Sequence, residues 1–134
     1  FYHIEESAKS LFKKTGLKPE DFAYGVFHMP NGKFPVQVAK SLGFSFLQIK
    51  DSLTVNYLGN SYTASALMGL MVVLEKAKAG DLIFLCSYGS GAGSDSFVLR
   101  VTKNLAKRKK EFIKVIKNKK YIDYPTYLKF MEMI

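Results

Sequence analysis

His28, Asn60 and the run Ser87 to Ser94 carry the side chains and backbone best suited to chemistry in this chain. Each follows the end of an apolar element and meets a glycine-bearing turn or a helix start, where backbone can approach a ligand closely. A histidine titrates near neutrality and can both give and take a proton. An asparagine at a helix start can accept orphan backbone N–H bonds, and its amide can equally reach a carbonyl oxygen. The loop Gly89-Ser90-Gly91-Ala92-Gly93 offers backbone N–H groups to an anion, although it does not match phosphate-loop or dinucleotide-binding patterns. Plainer roles stay open for all three: a structural histidine, a helix cap and a hairpin turn. Cys86, His28 and Asn60 also supply the residue types of a Cys–His–Asn nucleophilic site. However, Cys86 ends the apolar run Leu82-Ile83-Phe84-Leu85-Cys86, and burial there raises a thiol pKa and leaves it inert. It is read as a core thiol.

The elements that must position these residues follow from periodicity. Ile4, Ala8, Leu11 and Phe12 recur at helical spacing over Ile4 to Lys14, and Gly16 supplies a stop. Leu17 to Asp21 is a turn, and Phe22 to Phe27 is a short buried strand ending at His28. Pro30-Asn31-Gly32 breaks the chain before a helix from Pro35 to Leu42 that ends at Gly43. Phe44 to Asp51 has no clear period. Leu58 to Ser61 turns into a long helix, Thr63 to Lys78, which is apolar nearly all round and is expected to be buried on more than one side. Leu82 to Cys86 is a strand, Ser87 to Ser94 a glycine-rich turn, and Ser96 to Thr102 the partner strand. From Lys103 to Ile134 a basic tail follows, helical over Tyr127 to Met131. No internal repeat or linker interrupts this order, which predicts one layered α/β domain over residues 1–134.

Composition narrows the class further. The 134 residues are 48% hydrophobic and 23% charged, which is globular rather than disordered. Phe1 opens the chain and runs directly into a helical pattern, which predicts a piece of a longer polypeptide without a targeting sequence at its start. The apolar stretch Ala64 to Leu74 is too short to span a bilayer. One cysteine excludes an internal disulfide, gives no metal-ligand spacing and fits a reducing cytoplasm. The net charge of +9 invites a nucleic-acid reading. Lysine dominates the excess, though, and no arginine–aromatic alternation accompanies it, so attraction of anionic ligands is the reading taken.

Three segments carry a family resemblance. Val26-Phe27-His28-Met29-Pro30-Asn31-Gly32-Lys33-Phe34-Pro35 resembles the catalytic-histidine segment of archaeal hydroxymethylglutaryl-CoA synthases. Gly59-Asn60-Ser61-Tyr62-Thr63-Ala64-Ser65 is similar to their asparagine turn, and Leu85 to Asp95 to their glycine-rich hairpin. Tyr121 to Lys129 is similar to the archaeal tail. The resemblance implies the C-terminal half of a thiolase-like layered αβαβα fold. It implies His28 as the acid/base group that orients the acetoacetyl carbonyl and protonates the alkoxide. Asn60 and Ser90 would contact substrate, as would Gln37, which stands where many members carry arginine. Lys33 would meet the coenzyme A moiety as a mobile point charge.

The same resemblance implies acetyl-CoA and acetoacetyl-CoA as substrates, with no cofactor and no metal. The nucleophilic cysteine and a glutamate would lie in a missing N-terminal half, whose absence leaves an exposed face and sheet edge here. A homodimer is implied, together with an acetoacetyl-CoA thiolase and a small bridging protein as partners in the mevalonate route, and neither nucleic acid nor membrane. A ketoacyl-synthase-III-like or thiolase-like condensation is the alternative within the fold. A non-catalytic basic binding module is the alternative outside it.

Overall fold

The computed structural model describes residues 1–108 and 111–134. The first helix, α1 (Tyr2–Thr15), buries Ile4 and Ala8 at the expected spacing. It stops at Gly16, whose φ of 71° lets its N–H return to the Phe12 carbonyl at 2.8 Å. A single 3-10 turn over Pro19–Asp21 leads to strand β1 (Tyr24–Phe27). That strand is shorter than the apolar run because Phe22, although buried, lies ahead of the ladder. Helix α2 (Phe34–Leu42) begins behind Asn31, whose Oδ1 accepts the Lys33 and Phe34 N–H groups at 3.0 and 2.9 Å.

The stretch without a clear period, Phe44 to Asp51, folds as the short helix α3 (Phe46–Ile49) running into a 3-10 turn over Lys50–Ser52, and a second short helix, α4 (Val55–Leu58), follows where the sequence reading placed none. Four-residue helices are too short to display a period, which is why none was legible. Helix α5 (Ala64–Lys76) then leads to strands β2 (Leu82–Gly89) and β3 (Gly93–Arg100). The turn expected over Ser87 to Ser94 is therefore mostly strand. The antiparallel ladder runs out to Gly89 opposite Gly93, and only Ser90 to Ala92 turn the chain. Glycines and serines hide the alternation there, because a residue with little or no side chain does not mark which face it occupies.

The sheet order is β1-β2-β3, with β1 parallel to β2 and β2 antiparallel to β3. One face packs on α1 and α2 through Ile4, Phe27, Val38, Phe44 and Phe84. The other packs on α5 through Val26, Ala66, Val73, Ile83 and Leu85. The result is a three-layer α/β arrangement. After β3, a 3-10 turn over Lys103–Lys107 precedes α6 (Phe112–Lys117), a helix the sequence reading did not anticipate, and α7 (Tyr124–Phe130).

Two features of α5 bear on the site. The first qualifies the expectation of burial on more than one side: the sheet, the Lys50–Ser52 turn and α6 all pack on α5, yet Leu67 is 58% and Met71 46% exposed, so one strip of the helix stays open. The second is Gly69. A Cβ at that position would sit 2.7 Å from the Ser52 carbonyl oxygen and 3.3 Å from Val26 Cγ1. Glycine thus lets α5 lie against β1 and the Lys50–Ser52 turn. Ser65, one helical turn earlier on the same face, is carried in with it.

Candidate functional site

The parallel ladder sets His28 in place. Its N–H continues the β1–β2 pairing beyond the last strand residue and donates to the Cys86 carbonyl at 2.9 Å. Met29, next in line, donates its N–H to Ser65 Oγ at 3.0 Å. The same hydroxyl lies 3.3 Å from His28 Nδ1, so the start of α5 grips the imidazole from behind. Tyr88 on β2 brings its ring to 5.7 Å from the imidazole, and His3 stacks on the other reach of Tyr88 at 6.3 Å.

His28 is only 8% exposed and lines a recess of about 200 Å³ shared with His3, Ile4, Pro30, Phe34 and Tyr88. Burial pulls its pKa below the usual histidine value. The resting ring at neutral pH is therefore uncharged, with one nitrogen as donor and the other as acceptor.

Lys33 and Gln37 are both exposed and border an adjoining recess of about 450 Å³ with Asn31. Phe34 forms part of both recesses, so these two residues stand across a shared aromatic wall from His28. Asn60 is exposed in the loop between α4 and α5. Its Oδ1 accepts the Tyr62 N–H at 2.8 Å, while Thr63 occupies the helix cap position, so Asn60 closes a local turn and does not cap α5. With its oxygen engaged, the amide nitrogen is the end left to donate outward. Ser90 is exposed at the hairpin tip. On the α5 side, Gly89, Gly91 and Gly93 border a third recess, of about 500 Å³, together with Ser87, Asp95 and Leu67.

Cys86 does not join this group. It is fully buried, and its Sγ accepts a hydrogen bond from the Ser96 hydroxyl at 3.2 Å. Burial raises its pKa, outweighing the lowering effect of hydrogen bonds from Ser94 and Ser96. A protonated, enclosed thiol is no nucleophile at neutral pH, as its place in the apolar run suggested. Sequence reasoning gave no role to Ser65 or Tyr88. A small polar residue four positions before a helix glycine was the available signal for Ser65. Tyr88 was hidden inside the supposed turn. Among the described residues no group of three His, Cys, Asp or Glu side chains could hold a metal ion, and no helix is long and apolar enough to cross a membrane.

Residues 12–101 match the sequence model of the family described as 3-oxoacyl-[acyl-carrier-protein (ACP)] synthase III C terminal. The hydroxymethylglutaryl-CoA synthase of Aeropyrum pernix is 50% identical over 132 residues, covering 96% of this chain and 37% of that protein. The synthase of Methanosarcina barkeri is 48% identical over 132 residues, covering 96% of this chain and 38% of its own length. The chain thus spans little more than a third of these relatives. A crystal structure of HMG-CoA synthase complexed with CoA superposes with a TM-score of 0.75 at 26% identity, covering 94% of this chain and 36% of that one. The chain belongs to the 3-oxoacyl-[acyl-carrier-protein] synthase III C-terminal family, with its thiolase-like fold, and over nearly its whole length it resembles archaeal hydroxymethylglutaryl-CoA synthases.

Proposed function

We propose that this chain supplies the histidine-bearing wall of a site that condenses acetyl-CoA with acetoacetyl-CoA to 3-hydroxy-3-methylglutaryl-CoA. The observation that carries the reading is the 48–50% identity to two such synthases across 96% of the chain. The geometry supports it with a neutral histidine at a strand end, opening on a largely apolar recess. In the reaction, an acetyl group on a cysteine loses a methyl proton, and the resulting carbon attacks the keto carbon of acetoacetyl-CoA. The keto oxygen becomes an alkoxide, is protonated, and hydrolysis frees the product.

His28 orients that keto oxygen and donates toward it as charge develops. Asn60 offers its free amide N–H to a substrate carbonyl, and Ser90 and Gln37 line the approach. Lys33 meets the anionic coenzyme A moiety as a flexible cation. Cys86 is not the acyl carrier, so the cysteine and its assisting glutamate belong to another part of the whole protein. Leu67, Met71 and Phe97, exposed along α5 and β3, are the surface which that part would cover. A cytoplasmic homodimer acting in isoprenoid supply, with a thiolase and a small bridging protein as partners, belongs to the same reading.

One observation favours a second reading. The family model matching residues 12–101 is described by ketoacyl synthesis on acyl carrier protein, and a histidine–asparagine pair suits that condensation equally. Supplying the whole protein with acetyl-CoA and either acetoacetyl-CoA or malonyl-ACP separates the two. Formation of hydroxymethylglutaryl-CoA, seen by mass spectrometry, is the expected result. A decarboxylative product from malonyl-ACP alone would move the assignment to the second reading. Turnover of neither would remove both and leave the basic binding module.

A further inference from the structure

The His28 ring can present either a lone pair or an N–H to the recess, and its neighbour decides which. A serine hydroxyl donates one proton and accepts up to two. At Ser65, 1% exposed, one acceptor position is taken by the Met29 N–H at 3.0 Å. The other partner is His28 Nδ1, at 3.3 Å. Were Nδ1 protonated, Ser65 would accept twice, and its own proton would need a third partner inside the core. The described hydrogen bonds of this hydroxyl include none. Buried donors are almost always paired, so the proton of Ser65 goes to Nδ1.

We infer that Ser65 is a positioning residue that holds His28 as the neutral Nε2–H tautomer, so that a donor and not a base faces the acceptor ketone. The part of this inference that concerns the ketone rests on the condensation proposed above. The arrangement follows from the fold: Gly69 draws α5 against β1, Ser65 sits one turn before it, and the β1–β2 pairing presents Met29 and His28 side by side. In the sequence only its place four positions before Gly69 distinguishes Ser65 from the other small residues around it. In this tautomer the ring stabilises the developing oxyanion by a hydrogen bond and keeps its own proton. The alkoxide therefore takes its proton not from His28, as the resemblance implied, but from the assisting glutamate that took up the methyl proton.

The test uses the whole protein labelled with ¹⁵N-histidine, with long-range ¹H–¹⁵N spectra reading the tautomer and His28→Ala identifying the signal. The wild type is expected to show Nε2–H. In Ser65→Ala the Nδ1 acceptor loses its donor and the Nδ1–H form gains population. Condensation then slows by about 3- to 10-fold, the worth of one hydrogen bond, with acetylation of the cysteine unchanged. Ser65→Thr keeps the hydroxyl and is expected to restore the tautomer. If the threonine methyl prevents folding, the Ser65→Ala spectrum still decides. An Nδ1–H wild type, or tautomer populations unmoved in Ser65→Ala, would overturn the inference and leave the proposed reaction intact. A protein with the expected tautomer and no condensation would overturn the reaction alone.

Discussion

Replacing His28 by alanine in the whole protein is expected to slow condensation by about 10³-fold, within the range that a positioned donor or proton-transfer group supplies. Acetylation of the catalytic cysteine should stay within a few-fold of wild type. The split follows from where His28 stands. It lines a recess walled by Ile4, Pro30, Phe34 and Tyr88, and its hold on the fold runs through its backbone N–H to Cys86, which alanine keeps. The side chain gives up the contact with Ser65, whose hydroxyl retains the Met29 N–H, and the ring contact with Tyr88. Removing the ring therefore strips a donor from the acceptor ketone without dismantling the strand end. Single-turnover quench with mass spectrometry of the acetylated peptide, beside product formation, measures both steps. Equal loss of both steps, or loss of neither, would make His28 a structural residue.

The second large effect is on stability. Phe84 is fully buried in the first half of β2, with the rings of Phe12, Phe22, Phe27 and Phe44 at 5.5, 5.7, 5.3 and 5.2 Å. It joins α1, β1 and the chain after α2 into one aromatic cluster on a single face of the sheet. Phe84→Ala would remove the ring and leave a hole that the four surrounding rings cannot close. A loss of about 3–5 kcal/mol is expected, the usual range for a buried phenylalanine. Because β2 carries the partners of both β1 and β3, the loosening also reaches the His28 N–H bond to Cys86. Denaturant titration of the two proteins measures it through the shift in midpoint at unchanged slope. A change under about 1 kcal/mol would show that the cluster repacks.

Much of this architecture was legible because it rests on local signals. Gly16 and Gly43 end α1 and α2 with positive φ, as their positions after periodic helices suggested. Leu82 to Cys86 pairs as a largely buried strand, and His28 directly follows β1, as read. What was missed depends on tertiary contacts. The helices over 46–58 are too short for periodicity, and Gln48 ties them back to the Pro19 and Phe22 carbonyls at 2.8 and 2.7 Å. Glycines and serines between residues 87 and 94 masked two strand ends. Of the site, the histidine and the loops around it were visible as residue types. The approach of Ser65 was not, since it follows from a glycine packing against a carbonyl 17 residues earlier.

The role proposed for His28 is to hold the ketone of the acceptor. A crystal structure of the whole protein with acetoacetyl-CoA tests it most directly. The keto oxygen is predicted within about 2.7–3.2 Å of His28 Nε2, the ordinary range for such a bond. An acceptor ketone bound elsewhere, with the imidazole touching only protein groups, would contradict it.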